Sequence, residues 1–307
     1  MTQTVFIDGA AGTTGLEIVE RLQGRPEFEL IVLDDSQRKD ASARAEAFHA
    51  ADFAVLCLPD EAAREAAALA EGSGVRIIDA SSAYRTAGDW TYGFPELIGR
   101  DRIAAANRVS NPGCYPTGFL ALVAPLVRKG LLPGDWPFVC HAVSGYSGGG
   151  KALIARFEAD RTIAFRDYGL ALGHKHVPEM QLYARLAHPP VFAPAVIPAH
   201  RGMVVEVPLH LHLMRQAAPA DGLRDALADF YAGSPVVTVH PDAPDEILLR
   251  TDSVPSDKLG LWVFGSADGT QARLVARLDN LGKGASGAAV QNLNLMAGLP
   301  ETAGLAL

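Results

Sequence analysis

Cysteine is scarce in this chain of 307 residues. Cys57, Cys114 and Cys140 stand far apart, an odd and scattered set that excludes a disulfide scaffold and points to reduced thiols in a cytoplasmic setting. Positive charge is also in short supply: 27 Lys and Arg face 35 Asp and Glu, a formal net charge of −8. That balance argues against nucleic acid or an anionic membrane surface as a partner, since both reward a basic face. No run of about 18 apolar residues occurs, so no membrane-spanning helix is expected. Basic n-region and cleavage-site signals are missing at the start, and internal repeats, low-complexity tracts and linkers are missing throughout. What remains is 49% hydrophobic and 20% charged, the composition of a soluble globular protein with room for two domains.

The first hundred residues alternate short apolar runs with helical patterns. Thr4–Ile7, Phe28–Leu33, Phe53–Leu58 and Val75–Asp79 read as strands; Thr14–Leu22, Ala41–Ala51 and Asp60–Glu71 read as helices. Such alternation predicts βαβ units and a parallel sheet covered on both faces. After residue 113 the pattern changes. Phe138–Val143, Met203–Met214, Gly260–Ser266 and Gln271–Arg277 read as longer strands, and Leu223–Tyr231 as a short helix between them. Met203–Met214 alternates apolar and polar residues, the period of an antiparallel sheet with one wet face, which puts His210 and His212 at the surface. The expected fold class is α/β: a Rossmann-like doubly wound domain with an α+β domain inserted before a returning C-terminal helix. The expected boundaries are 1–113 plus 285–307, and 114–284.

Gly9, Gly12 and Gly15, with Thr13 and Thr14 between them, follow the first strand and open the first helix. Glycines there let the backbone approach a pyrophosphate placed at the helix N-terminus, although the same glycines would also serve close strand–helix packing. The spacing, G-x-x-G-x-x-G, is a variant of the dinucleotide fingerprint. After the second strand comes Asp34-Asp35-Ser36-Gln37-Arg38-Lys39. A carboxylate suits the ribose hydroxyls of NAD, whereas Ser36, Arg38 and Lys39 together favour the 2′-phosphate of NADP.

Ser110-Asn-Pro-Gly-Cys-Tyr-Pro-Thr-Gly118 leads into an apolar helical stretch. The Pro–Gly turn sets Cys114 at a helix start, where the dipole favours the thiolate that acts as nucleophile. Cys57 and Cys140 lie in apolar strands and read as buried structural thiols. Gly173-His-Lys-His-Val-Pro-Glu179 offers His174 and His176 as groups that can hold a thiolate's charge and exchange a proton near neutrality. A metal pair and a structural polar turn are the alternatives, and no metal site is expected. Ser144-Gly-Tyr-Ser-Gly-Gly-Gly-Lys151 lacks the Walker ending, yet its backbone N–H groups suit a phosphate or carboxylate. Asp79-Ala-Ser-Ser-Ala-Tyr-Arg85 follows a strand, and its serines and Arg85 suit an anionic group or simply cap a turn.

Together these motifs resemble the N-acetyl-gamma-glutamyl-phosphate reductase family in its shorter form, within the superfamily of aspartate-semialdehyde and glyceraldehyde-phosphate dehydrogenases. The matching segments, in order, are Gly9–Gly15, Ser81–Arg85, Tyr92–Leu97, Ser110–Gly118, Ser144–Lys151, Gly173–Glu179, Ile197–Gly202 and Asp279–Asn294. The resemblance implies the third step of arginine biosynthesis: reductive dephosphorylation of an acyl phosphate through a thioester on Cys114, with NADP(H) as cofactor. It maps the family's histidine onto Gly173–Glu179, with His174 set nearest the thiol and His176 on the substrate or the oxyanion. It sets Asn280, Gln291 and Asn292 beside the nicotinamide, and Ser82, Arg85, Asn111, Ser144, Gly145, Ser147 and Arg201 on the substrate. It also implies a cytoplasmic homodimer or homotetramer. Tyr84 stands where the family more often has an Asp-Phe pair. The competing readings are reductases of aminoadipate-type or aspartyl phosphates and a non-catalytic NADP-sensing module.

Overall fold

Residues 2–307 are described in a computed structural model. The alternation at the start of the chain forms β1 (Gln3–Asp8), α1 (Thr13–Leu22), β2 (Phe28–Ile31), α2 (Ala41–Ala50), β3 (Phe53–Leu56), α3 (Asp60–Leu69) and β4 (Arg76–Asp79). Then follow β5 (Thr91–Tyr92), α4 (Pro95–Ile98), α5 (Arg100–Ala104) and β6 (Arg108–Ser110). The six strands pair in the order β2-β1-β3-β4-β6-β5, every pair parallel. Every residue of β3 is buried, as a strand covered on both faces requires. One covering layer joins Val5, Ile18, Val55 and Val109 to residues 289–296. The other joins Phe6, Phe48, Leu56 and Ala66. Helix α2 has no strong apolar stripe; its start is fixed instead by the Asp40 carboxylate, which accepts the Ala43 N–H at 2.8 Å.

The chain then builds α6 (Cys114–Arg128), β7 (Val139–Gly145), α7 (Gly150–Ala159), β8 (Arg166–Asp167), α8 (Val177–Ala184), β9 (Val191–Ile197) and β10 (Met203–His210). After these come α9 (Ala220–Phe230), β11 (Val237–Val239), β12 (Leu259–Gly265), β13 (Gln271–Leu278) and α10 (Gly287–Met296). The seven strands of this second sheet run β11-β12-β13-β10-β7-β9-β8. The sheet is mixed, not purely antiparallel, because β7 and β9 pair in parallel, as do β11 and β12. Helix α6 is apolar nearly all round and buried from Tyr115 to Leu126. Gly118 lets it lie against β10 and β13: a Cβ there would sit 2.7 Å from Val205.

The chain divides into two compact units, Met1–Gly113 with Ala285–Leu305, and Cys114–Gly284 with Ala306–Leu307. Ala306 and Leu307 leave the first unit because the Ala306 N–H donates to the Asp257 carboxylate at 2.7 Å. Two expectations need correcting. The strand from Met203 stops at His210, and Leu211–Leu213 turns as a 3-10 helix. Cys57 lies one residue past β3 rather than within it. Among the described residues no helix is long and apolar enough to cross a membrane.

Candidate functional site

In the first unit a cleft of about 570 Å³ opens beside the glycine turn and the end of β2. Gly9 has φ +89°, and a Cβ there would stand 2.4 Å from the Cys57 carbonyl oxygen; a Cβ on Gly15 would stand 2.4 Å from the Gly9 oxygen. These two glycines are therefore fixed by packing. Gly12 is looser, with its nearest atom 3.4 Å away, and it caps α1. Thr13 and Thr14 form the first turn of that helix.

The cleft is lined by Gly9, Asp34, Arg38, Lys39 and Arg44, among others. Asp34 Oδ1 accepts the Ser36 N–H at 2.8 Å, the Ser36 hydroxyl at 2.6 Å and the Gln37 N–H at 3.0 Å. The Ser36 hydroxyl, followed by the two backbone donors, holds the Asp34 carboxyl below its ordinary range. Ser36 is thereby committed to the turn and is removed as a donor to a phosphate. Arg38 pairs with Asp35 at 2.9 Å on the surface.

Asp79 ends β4, fully buried, and accepts the Ser81 hydroxyl at 2.7 Å. Burial, only partly offset by Ser81 and Arg85, pushes its carboxyl up to about 6. The native state therefore holds this proton more tightly than the unfolded chain does. Stability contributed by the protonated form is present below the ordinary carboxylate range and is lost as pH rises to about 6, on the order of 3 kcal/mol. Asp79→Asn should flatten that limb, checked by urea unfolding of both proteins between pH 4 and 7.

Arg85 is buried and donates to the carbonyls of Asn111 at 3.0 Å and Ala80 at 3.2 Å. Asn111 donates to Ala285 O at 3.0 Å and accepts from Asn292 at 3.1 Å. Ser82 departs from expectation: its hydroxyl donates to the Asp60 carboxylate at 2.7 Å, anchoring the first turn of α3. Gln291 departs as well. It is fully buried, and its amide donates to Glu96 and Glu301, each at 2.9 Å. Asn292, equally buried, acts through Asn111 and the Gly93 carbonyl.

In the second unit Cys114 is the first residue of α6, half-buried, where the helix dipole favours a negative sulfur. Gly284 backs it: a Cβ there would stand 2.9 Å from the Cys114 Cβ. The next residue, Tyr115, donates its hydroxyl to Ala195 O at 3.2 Å and accepts from Tyr168 at 3.3 Å. Burial first, then the neighbouring Tyr168 and Cys114, drives the Tyr115 hydroxyl far up, so it stays protonated; burial pushes Tyr168 up to about 12.

The histidine pair packs on the same ring. The His174 and His176 centroids lie 6.3 and 5.9 Å from that of Tyr115, and 4.6 Å from each other. His174 Nδ1 accepts the His176 N–H at 3.2 Å, so a neutral His174 carries its proton on Nε2. His176 is buried at the start of α8, while His174 is half-buried. Sequence reasoning missed Tyr115 and Tyr168; the adjacency of Tyr115 to the cysteine was the available signal.

The Ser144–Lys151 loop corrects a compositional expectation. The N–H groups of Gly145, Tyr146 and Ser147 donate to Gly202, Ala199 and His200 carbonyls, so they do not cluster toward a ligand. Lys151 is exposed. The Ser144 hydroxyl donates to Gly145 O at 3.0 Å. Asn280 is also structural: it donates to Ser147 Oγ and accepts the Gly202 N–H, both at 2.9 Å, stapling three segments. Arg201 pairs with Asp279 at 2.9 Å. Among the described residues no group of three or more His, Cys, Asp or Glu is arranged to hold a metal ion.

Residues 4–106 match the family described as semialdehyde dehydrogenase, NAD binding domain, and residues 114–280 match semialdehyde dehydrogenase, dimerisation domain. The N-acetyl-gamma-glutamyl-phosphate reductase 2 of Nostoc sp. is 50% identical over 318 residues, covering 98% of each chain. The N-acetyl-gamma-glutamyl-phosphate reductase of Burkholderia ambifaria is 51% identical over 303 residues, covering 96% of each. Aspartate semialdehyde dehydrogenase II of Vibrio cholerae shares the fold at 18% identity, with a TM-score of 0.73 over 96% of this chain and 98% of that one. With both halves matched and half of all positions identical along its length, the chain belongs to the N-acetyl-gamma-glutamyl-phosphate reductase family of semialdehyde dehydrogenases.

Proposed function

We propose that this protein is an NADPH-dependent oxidoreductase of arginine biosynthesis. It converts N-acetyl-gamma-glutamyl phosphate to N-acetyl-glutamate semialdehyde with release of phosphate. The observation that carries the reading is Cys114 at the first residue of α6, followed by Tyr115, against whose ring both histidines pack, in a chain that is 50% identical to reductases of that name. The first unit is assigned to the dinucleotide and the second to catalysis and assembly. The dinucleotide fits the first unit: the close-packed turn at Gly9 and Gly15 leaves a cleft between the glycine loop and the β2 end. Gly9, Gly12, Thr13, Thr14, Arg38 and Lys39 would hold it.

Cys114 Sγ attacks the acyl carbon as the C–O bond to phosphate breaks, and phosphate leaves with that electron pair. The product of this step is a thioester on Cys114. NADPH, when bound, supplies the hydride that reduces the acyl group. Carbon–sulfur cleavage then returns the electron pair to Cys114 and frees the aldehyde. His174, with Nε2 as its proton-bearing atom, holds the charge near sulfur, and His176 with Tyr115 orients the acyl group. Arg85, Asn111 and Arg201 are assigned to the anionic groups of the substrate. The test is phosphate-dependent reduction of NADP by N-acetyl-glutamate semialdehyde. Rates at least about a hundredfold above those with aspartate semialdehyde are expected, the discrimination reached by sites that hydrogen-bond the distinguishing group. Equal rates would reject the assignment.

Assembly as a homodimer or homotetramer in the cytoplasm completes the proposal. Helix α6 packs on the sheet face that carries Val205 and Ala276. The opposite face carries Pro208, His210, Gln271, Arg273 and Arg277, exposed, and Trp262, half-buried. This face suits a second copy of the chain. Sedimentation at micromolar concentration should give a species heavier than 32.5 kDa; a monomer alone would reject it.

A further inference from the structure

Three cations line the cleft of the first unit: Arg38, Lys39 and Arg44. Arg38 and Lys39 are exposed, and Arg38 is tied to Asp35 at 2.9 Å. Arg44 differs. It is 8% exposed, on α2, and both its Nε (3.1 Å) and Nη2 (2.7 Å) donate to the same oxygen, Oδ2 of Asp8. Among the described residues Nη1 donates to no protein atom. A buried guanidinium clamped through Nε and Nη2, in a residue that lines the cleft, is a pre-ordered donor whose side-chain entropy is already lost. Ser36, the hydroxyl in the turn after β2, is committed to Asp34. Asp8 immediately precedes Gly9, so the clamp also fixes Arg44 relative to the glycine turn.

We propose that Arg44 is the residue that reads the 2′-phosphate on the adenosine half of the dinucleotide, held in place by Asp8, with Lys39 as a mobile second charge. This inference rests on the NADP reading and names the residue behind it. Asp8 is a positioning residue: its carboxylate accepts from Nε and Nη2 and leaves Nη1 for the phosphate.

Calorimetric titration of the full chain with 2′,5′-ADP and with 5′-AMP separates the possibilities without turnover. The unaltered protein should bind 2′,5′-ADP more tightly than 5′-AMP. Arg44→Met should weaken 2′,5′-ADP by about tenfold or more and leave 5′-AMP within about twofold, and Arg44→Lys should recover part of the loss. Because Arg44→Met leaves a buried carboxylate without its partner, the pair Asp8→Asn/Arg44→Met serves as a second variant that removes both charges. Equal weakening of both nucleotides in the two variants would make Arg44 structural and overturn the inference. Unchanged 2′,5′-ADP binding would overturn it in favour of Arg38 and Lys39. If the unaltered protein does not distinguish the two nucleotides, the NADP reading itself fails, and the inference with it.

Discussion

Cys114→Ser should lower kcat/KM by about a thousandfold or more, equivalent to about 4 kcal/mol of transition-state stabilisation. A serine hydroxyl at the head of α6 is not ionised near neutrality, so the helix terminus has no anion to stabilise there. Cys57→Ser and Cys140→Ser should keep most of the rate. Burial, reinforced by Asp79 and Asp8, pushes the Cys57 thiol up to about 12, and burial alone drives Cys140 upward; neither competes as a nucleophile. Rapid-quench measurement of phosphate release assigns the loss to the first chemical step. Near-parental release by Cys114→Ser would reject the thioester route.

Gly9→Ala should unfold the first unit more readily, by about 2–5 kcal/mol. A left-handed backbone costs a non-glycine residue about 1–2 kcal/mol, and forcing a methyl into a filled space adds about 1–3 kcal/mol. Both apply, since φ is +89° and the new carbon would lie 2.4 Å from the Cys57 carbonyl oxygen. Gly12→Ala meets nothing closer than 3.4 Å and costs about 1 kcal/mol, as for alanine in place of a good helix cap. Urea midpoints measure the contrast; similar midpoints for the two variants would contradict it.

The legibility of the chain was uneven for identifiable reasons. The βαβ alternation was plain because β3 is buried on both faces and so is apolar without interruption. Cys114 was plain because Pro112 and Gly113 announce the helix it opens. Ser36, Ser82, Asn280 and Gln291 misled, since a polar residue in a motif looks the same whether it faces a ligand or a neighbouring carboxylate. Their partners, Asp34, Asp60, Gly202 with Ser147, and Glu96 with Glu301, appear only once the chain is folded. Arg44 was hidden inside an alanine-rich helix with no apolar periodicity to orient it. The end of β10 at His210 was equally silent, because the alternating pattern runs past the residue where pairing with β13 ceases.

The return of α10 to the first unit sets an order of events during synthesis. Ala289, Val290, Leu293 and Met296 fill one face of the parallel sheet, and Arg25 bonds Asn294 across a sequence separation of 269 residues. The strands of that sheet are complete by Ser110, yet their cover is translated only after Gly284. At about 5–20 residues per second the ribosome takes roughly 10–30 s over the interval. For that time the part of the apolar sheet face that α1 and α5 do not cover has no intramolecular partner, which makes the nascent chain a client for holding chaperones. The second unit, nearly one unbroken segment, can finish folding before the first.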